Sequence, residues 1–396
     1  MTPAAPPPPS RLLGGLSPAE FLRTHWQRRP LRVADAWPLD GPPISPEELA
    51  GLACEPDAHA RLVQEHHPAG PWHVSYGPFD ADDFARLPGT HWTLLVSECE
   101  RLHPPLRVLL EPFRFLPDWR IDDLMISYAV DGGSVGPHVD EYDVFLLQLD
   151  GVREWHIGDA PLPVEEEQFI DGLELRILRA FTPDRVWRQA PGDLLYLPPR
   201  VPHHGIARGP CLTASIGFRA PGARDLLGGW LEACIERTPE AARYRDPGRL
   251  PARHPAELAS ADIDALRELL LDHLDPRGPT FDDWLGRYLT EPRDPHDLAE
   301  PAAPPTPQAL QAALRDGAVL EVTPAARLLW HDGPDGLRLY AAGESHPLPA
   351  GLRPLVERLT ARRRLTAADL PAEPAAALDL LHALLAAGVL EIADHA

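Results

Sequence analysis

The chain has 396 residues and a formal net charge of -22 at pH 7. That charge argues against direct nucleic-acid binding and favours a basic partner. Hydrophobic residues make up 44% of the chain, enough for a sizeable core. No run approaches the roughly 18 apolar residues of a membrane helix, and the four scattered cysteines form no CxxC pair. We therefore expect a cytoplasmic protein without membrane contact, disulfide framework or structural zinc.

The first half of the chain is dominated by strand patterns that follow two short helices. Capping boxes at Ser17 and Ser45 each predict a helix start. Short apolar or alternating runs then predict strands: WHVSYGPF, WTLLVS, DDLMISYAV, VFLLQL, VREWHIG, LELRIL, DLLYLPP and CLTASIGFRAP. Asp150-Gly151 between VFLLQL and VREWHIG predicts a hairpin. Many short strands with Gly and Pro turns predict a β-barrel or sandwich.

The pattern becomes helical after Pro221 and mixed near the C-terminus. Helical spacing marks LLGGWLEACIER, ELASADIDALRELLLDHL and FDDWLGRYL. A proline-rich break ends near Pro307, and the tail combines helices with short strand-like runs, which predicts a winged-helix-like module. We therefore divide the chain into a β-rich domain with N-terminal helices over 1–222, a helical region over 223–300 and a winged-helix-like domain over 301–396.

The strongest chemical signal is GPHVDEYDVFLLQLDG, in which His138 and Asp140 precede an apolar strand. Residues two apart on an extended chain point to one face. Two histidines and a carboxylate on one face form the ligand set of non-haem Fe(II) oxygenases, so a third ligand is expected. The candidates are His156, His203 and His204. The context GDLLYLPPRVPHH favours the latter pair, because a histidine borne on the turn after a strand can reach across a barrel mouth.

Period-two alternation supplies further side chains for the same interior. These candidates are Asp123, Met125, Ser127, Tyr142, Thr213 and Ser215. The hydroxyl groups among them can hydrogen-bond carboxylates, whereas Asp123 and Tyr142 together suit a guanidinium. Arg153 follows the predicted hairpin turn, and if it and Trp155 face inward its guanidinium can bind a carboxylate through two hydrogen bonds.

These motifs resemble the JmjC-type cupin oxygenases, and within them the bacterial ribosomal oxygenases. The matching runs are FLRTHWQRRPL, DDLMISYAV, GGSVGPHVDEYDVFLLQLDGVREWHIG, PGDLLYLPPRVPHHG, SIGFRAP and FDDWLGRYLTEPR. The resemblance implies an α+β fold with a double-stranded β-helix, a helical dimerisation region and a C-terminal winged helix. It implies an enzyme that uses Fe(II), 2-oxoglutarate and O2 to hydroxylate an arginine of large-subunit ribosomal protein sixteen.

The resemblance also assigns roles to residues of this chain. It implies His138, Asp140 and His203 as iron ligands and Arg153 as the partner of the 2-oxoglutarate carboxylate. The alternation described above adds Ser127, Thr213 and Ser215 as candidate cosubstrate contacts. The resemblance implies Asp123 and Tyr142 as substrate contacts, and Met125 shares their strand face. His204 departs from the family pattern, in which the next position is often acidic.

Three other functions remain open on the sequence alone. A related oxygenase could act on a histidine of another ribosomal protein, or on a lysine as histone demethylases do. A non-catalytic metal-binding cupin regulator would need a basic recognition surface, which the acidic total opposes. We interpret the run Arg362–Arg364 as a solvated helix end.

Overall fold

The computed structural model divides into two compact units, Met1–Ala220 and Pro221–Ala396. The described residues are 6–68, 70–294, 298 and 303–393. Within these ranges, no helix is long and apolar enough to cross a membrane.

The first unit is mainly β-structure with short helices on its N-terminal side. Its strands are β1 (Leu31–Val33), β2 (Ala60–His67), β3 (Gly70–Tyr76), β4 (Trp92–Val96), β5 (Ile121–Ala129), β6 (Asp143–Asp150), β7 (Arg153–Ile157), β8 (Arg185–Gln189), β9 (Leu194–Leu197), β10 (His203–Ala207) and β11 (Cys211–Phe218). Its α-helices are α1 (Pro9–Leu12), α2 (Pro18–Thr24), α3 (Pro46–Leu52), α4 (Ala81–Ala85) and α5 (Cys99–Leu102). Both predicted capping boxes form, at the starts of α2 and α3.

The strands form two sheets between which the chain alternates. In the described residues the larger sheet has the order β1-β9-β6-β11-β5-β4-β2-β3 and the smaller sheet has the order β10-β7-β8. From β6 to β11 the chain crosses from one sheet to the other four times, which produces the double-stranded β-helix that the family resemblance implied. A core cluster with Leu146, Trp155 and Leu195 joins side chains of both sheets.

Strand β6 is apolar on both faces because both are covered. Phe145 and Leu147 belong to the core shared with the N-terminal helices, whereas Val144 and Leu146 belong to the cluster between the sheets. This position explains the continuous apolar run VFLLQL, since a strand that is buried on both faces shows no polar alternation.

The predicted hairpin at Asp150-Gly151 is wrong. Strand β6 pairs with β9 and β11, whereas β7 pairs with β8 and β10. The turn is therefore a corner at which the chain leaves one sheet for the other. Gly151 has φ 63° and lies so close to the corner before β11 that an added Cβ would be 2.1 Å from the Pro210 carbonyl oxygen. A tight glycine turn serves a sheet crossing as well as a hairpin, and local sequence does not distinguish them.

Two further local predictions also differ from the structure. The run LELRIL forms no strand; apart from an isolated bridge between Phe169 and Leu178 it is irregular. His203 is the first residue of β10 rather than part of the preceding turn. His203 joins β10 because it pairs with Ile157 of β7, a residue far away along the chain.

The second unit contains three helices followed by a mixed α/β module. Its elements are α6 (Ala223–Arg237), α7 (Ser260–Leu274), α8 (Pro279–Thr290), α9 (Pro307–Arg315), β12 (Val319–Val322), β13 (Leu328–Gly333), β14 (Gly336–Ala341), β15 (Glu344–Leu348), α10 (Arg353–Arg362), β16 (Arg364–Leu365), α11 (Ala375–Ala386) and β17 (Leu390–Ala393). The C-terminal module has its own core, which includes Leu310, Leu320, Val356 and Leu381. Helix α7 buries none of its residues.

We expect Gly151→Ala to destabilise the first unit far more than Gly172→Ala. Both glycines have positive φ, of 63° and 74°, but only Gly151 meets neighbouring backbone; nothing lies within 4 Å of a Cβ at Gly172. The control should lose about 1–2 kcal/mol from left-handed strain alone. Thermal unfolding should show a melting temperature several degrees lower for Gly151→Ala than for Gly172→Ala. Equal losses would contradict the steric role of the corner.

Candidate metal centre

The three predicted ligands meet where the loop before β6 pairs with the start of β10. The backbone N–H of His138 donates to the carbonyl of His203 at 3.0 Å, and the N–H of His203 donates to the carbonyl of His138 at 3.0 Å. One candidate ligand atom from each of His138, Asp140 and His203 lies within 4.8 Å of the others. The two imidazole centroids are 4.3 Å apart. Backbone pairing therefore brings the third ligand to the other two.

Hydrogen bonds orient both imidazoles for metal binding. The Nδ1 of His138 lies 2.9 Å from the Gly136 carbonyl oxygen, and the Nδ1 of His203 lies 2.9 Å from that of Val201. A carbonyl accepts only from a protonated nitrogen, so each Nε2 is left with its lone pair. The Nε2 atoms lie 3.9 Å and 3.5 Å from the Asp140 carboxylate oxygens. Burial lowers the pKa of His203 to about 4, which keeps it neutral, as a ligand must be.

The other two candidate histidines lie outside this group. Successive strand residues point to opposite faces, so His204 turns away from His203. Its Nε2 is 3.0 Å from the Ser134 hydroxyl. His156 pairs with His204 across β7 and β10, and its Nε2 lies 3.1 Å from Glu154 Oε1. The donor set is thus two imidazoles and one carboxylate.

Arg153 projects from the middle strand of the smaller sheet into the space between the sheets. It is 5% exposed, and its Nη2 lies 3.7 Å from Cys211 Sγ on the larger sheet. Its guanidinium lies 5.8 Å from the Trp155 ring centroid, so the two side chains lie on the same face of β7. This is the condition that the sequence analysis set for a carboxylate contact by Arg153. Among the described residues, Arg153 Nε, Trp155 Nε1 and Gln189 Oε1 are buried without a hydrogen-bond partner. Buried polar atoms of this kind fit a polar ligand between the sheets.

The predicted hydroxyl residues lie on the facing side of the larger sheet. Ser127 and Thr213 are partners across β5 and β11, and Ser215 is the partner of Met125. The Ser127 hydroxyl donates to the Thr213 carbonyl at 3.4 Å, and the Thr213 hydroxyl donates to Gln148 Oε1 at 3.0 Å. The sequence analysis missed Gln148, although a lone amide in the apolar strand β6 marks it.

Asp123 and Tyr142 lie close to one point at the end of β11. A Cβ added to Gly217 would be 3.3 Å from Asp123 Oδ1 and 3.8 Å from Tyr142 Cε2. Tyr142 is 41% exposed, and the nearby Asp140 carboxylate, followed by burial, raises the pKa of its hydroxyl. The phenol therefore stays neutral beside an acidic, partly open pocket.

Glu100 is a buried carboxyl group that the sequence analysis also missed. Burial, followed by the charge of Asp123, raises the pKa of Glu100 to about 7. Its Oε2 accepts a hydrogen bond from the Leu124 backbone N–H at 3.0 Å. The folded protein therefore holds a proton here that the unfolded chain releases near the ordinary glutamate value.

We expect the free energy of unfolding to fall as pH rises from about 4.5 to 7, with Glu100 contributing up to about 3 kcal/mol. The free energy of unfolding falls with rising pH because the folded state binds more protons than the unfolded state in this interval. Glu100→Gln should flatten this fall in denaturant titrations at a series of pH values. The exposed control Glu165→Gln should leave it unchanged. An unaltered slope in Glu100→Gln would refute the assignment.

Comparisons with known proteins agree with this geometry. A JmjC domain model matches residues 108–226, and a ROXA-like winged helix model matches residues 270–391. The chain is 39% identical to the ribosomal protein uL16 3-hydroxylase of Escherichia coli (strain K12), over 88% of this chain and 90% of that protein. It is 35% identical to a probable ribosomal oxygenase of Haemophilus influenzae, over 83% of this chain and 82% of that protein.

A solved structure extends the likeness to three dimensions. The structure of YcfD, a ribosomal oxygenase from Escherichia coli in complex with cobalt and 2-oxoglutarate, matches with a TM-score of 0.81 at 37% identity. The match covers 96% of this chain and 99% of that chain. The predicted α+β architecture with a winged helix is thereby confirmed, and the chain belongs to the JmjC-type ribosomal oxygenases.

Proposed function

We propose that this protein is an Fe(II)- and 2-oxoglutarate-dependent oxygenase that hydroxylates an arginine of ribosomal protein uL16. The observation that carries the proposal is the meeting of His138, Asp140 and His203 where the loop before β6 pairs with the start of β10. The Escherichia coli relative is a uL16 3-hydroxylase, and YcfD takes cobalt and 2-oxoglutarate. The substrate would be met in the cytoplasm.

The donor set fits iron. Each imidazole presents Nε2 because Nδ1 is engaged by a carbonyl, and Asp140 supplies the carboxylate. Two histidines and one carboxylate leave coordination positions for a cosubstrate and oxygen. With 2-oxoglutarate and O2, the iron supplies the oxidising chemistry that places one oxygen atom on an unactivated carbon.

The residues between the sheets fit a dicarboxylate cosubstrate. The buried Arg153 guanidinium has an unpartnered Nε among the described residues and suits a carboxylate. Thr213, Ser127 and Ser215 line the opposite sheet and offer hydroxyl groups. Because an unpaired buried guanidinium is costly, a carboxylate at this place would relieve that cost. The role of these residues is to orient the cosubstrate and exclude water.

Asp123 and Tyr142 fit the cationic side chain of the substrate. The Asp123 carboxylate can accept hydrogen bonds from a guanidinium while the Tyr142 ring lies against its face. Met125 follows on the same strand face. The net charge of -22 agrees with a basic protein substrate. A lysine would also meet a carboxylate here, so a peptide with lysine in place of arginine is the matched substrate control.

The central experiment incubates the protein with a uL16 peptide that spans the target arginine, together with Fe(II), ascorbate and 2-oxoglutarate. Mass spectrometry should show the gain of one oxygen atom on arginine. His203→Ala should lose metal and activity, whereas His204→Ala should keep both because its ring faces Ser134. Asp123→Asn should raise the peptide KM by about tenfold or more, since a charge-assisted hydrogen bond is lost, and leave metal affinity unchanged.

Each failure has a separate meaning. Succinate release without peptide oxidation would keep the oxygenase and reject the substrate. Loss of metal in Asp123→Asn would reject its substrate role. Neither product from iron-loaded protein would favour a metal-binding cupin regulator instead.

We further propose that region 223–300 forms a homodimer, as the family resemblance implies. Exposed apolar residues line α6 and α7: Leu227, Leu231, Ile235, Ile263, Leu266, Leu270 and Leu271. Leu227, Leu231 and Ile235 recur every fourth position and so form one stripe on α6. An apolar stripe of this length in water calls for a partner surface.

Substitution on the exposed apolar face of α7 should dissociate the dimer. Leu270→Glu puts a charge on the apolar face of α7, whereas Ala265→Glu puts the same charge on its opposite side. Light scattering coupled to size-exclusion chromatography should give a monomer for Leu270→Glu and a dimer for the wild type and Ala265→Glu. A monomeric wild type would refute the proposal.

The winged-helix domain (301–396) is proposed as a helper in assembly or substrate capture rather than as a reader of nucleic acid. Its arginine run is engaged within the domain. Arg363 donates to the carbonyls of Thr323 and Ala326, and Arg362 lies 3.6 Å from Asp369. These contacts fit a structural role for the run.

A further inference from the structure

A second group of metal-ligating side chains lies at strands β2 and β4 of the larger sheet and takes no part in the function proposed above. It consists of Glu65 and His66 near the end of β2 and His91 just before β4. One candidate ligand atom from each lies within 4.8 Å of the others. The imidazole centroids of His66 and His91 are 5.1 Å apart. We call these three residues the β2–β4 cluster.

Backbone pairing holds two members of the cluster together. Strands β2 and β4 are antiparallel, and the Glu65 N–H donates to the His91 carbonyl at 2.9 Å. The His91 N–H in turn donates to the Asp131 carbonyl at 2.9 Å. Gly132 lies so close to the His91 ring that an added Cβ would be 2.7 Å from Nε2. The position of this ring is therefore built into the fold.

A local distortion lets the third member join. Consecutive residues of a regular strand point to opposite faces, so Glu65 and His66 would ordinarily be separated. His66 instead has φ 58°, and His91 has φ 63°. Non-glycine residues in this left-handed region are uncommon and concentrate at ligand sites. Two of the three cluster residues share this conformation.

The chemistry of the cluster suits a divalent transition metal. Two imidazoles and a carboxylate are the protein ligands of many zinc sites, with a fourth position left for water. Glu65 is partly buried, whereas His66 is exposed and gives an ion access from solvent. A carboxylate and two neutral imidazoles fit a dipositive ion better than they fit an anion or an apolar ligand.

The cluster is connected to the loop that carries His138. Glu65 Oε1 lies 3.4 Å from the hydroxyl of Ser134, which is 1% exposed. The same hydroxyl accepts from the Gly136 N–H at 3.1 Å and lies 3.0 Å from His204 Nε2. An ion on Glu65 would thus brace the segment between β5 and His138.

We propose that Glu65, His66 and His91 form a second metal site, selective for Zn²⁺-like divalent ions, which braces the loop before the centre of His138, Asp140 and His203. The site does not depend on the proposed substrate. It requires only that the full chain folds as described.

The full chain is first stripped of metal with a chelator. Zn²⁺ is then titrated in the presence of a second, chromophoric chelator, and the number of Zn²⁺ equivalents bound by the protein is measured. The wild type should bind two equivalents. His138→Ala/His203→Ala should keep one, His66→Gln/His91→Gln should keep one, and the fourfold variant should bind none. His67→Gln/His73→Gln is the matched control, because these two rings stack at 4.1 Å beside the cluster without belonging to it. This control should still bind two.

Thermal unfolding supplies a readout that is independent of activity. In the His138→Ala/His203→Ala background, Zn²⁺ should raise the melting temperature, because an ion that binds only the folded state stabilises it. Adding His66→Gln to the His138→Ala/His203→Ala background should abolish that rise in melting temperature. One equivalent in the wild type, or two equivalents retained in His66→Gln/His91→Gln, would overturn the proposal. A melting temperature insensitive to Zn²⁺ in the His138→Ala/His203→Ala background would overturn the bracing role.

Discussion

The reciprocal backbone hydrogen bonds between His138 and His203 are the constraint on which the rest of this enzyme depends. They join the loop before β6 to the start of β10, and so link strands of the two different sheets. Without this pair, the two imidazoles would belong to separate layers. With it, their Nδ1 atoms reach carbonyls on their own segments and their Nε2 atoms converge on Asp140. The arrangement of the three candidate ligand residues is therefore set by backbone pairing more than by side-chain contacts.

The interior between the sheets combines a packed end with a polar end. Leu146, Trp155 and Leu195 fill one part, whereas Arg153, Thr213 and Gln148 occupy another. Polar groups are costly to bury unless they are paired. Among the described residues, Arg153 Nε and Gln189 Oε1 are buried without a hydrogen-bond partner, so the polar end carries a desolvation cost that the apolar end does not.

Several acidic side chains lie close together near the candidate metal centre. Asp140 and Asp123 make the partly open pocket around Tyr142 acidic, and nearby Glu100 holds its proton because burial and Asp123 disfavour a further negative charge. A cationic side chain entering this pocket would replace repulsion between carboxylates with attraction. The charge of Asp123 thus adds to the effect of burial on the pKa of Glu100, and the same charge would attract a cation.

The sequence by itself determined the ligand types, the interior candidates and the α+β class. His138 and Asp140 share a face because of strand periodicity, and the capping boxes at Ser17 and Ser45 depend on residues three apart. Such local relations are readable without a fold. The sequence left the direction of Arg153 conditional on that of Trp155, and the structure buries both side chains.

Only the tertiary structure decided which distant segments meet. It turned the supposed hairpin at Gly151 into a crossing between sheets, because β6 and β7 found partners far along the chain. It placed His203 and His204 on opposite faces of β10, so that only His203 reaches Asp140, whereas the sequence context alone left both as candidates for the third ligand. It also brought His91 to Glu65 and His66 through a backbone pair and a left-handed residue, neither of which periodicity predicts. Side-chain direction is set locally, whereas strand partners are set by the burial and hydrogen bonding of the whole chain.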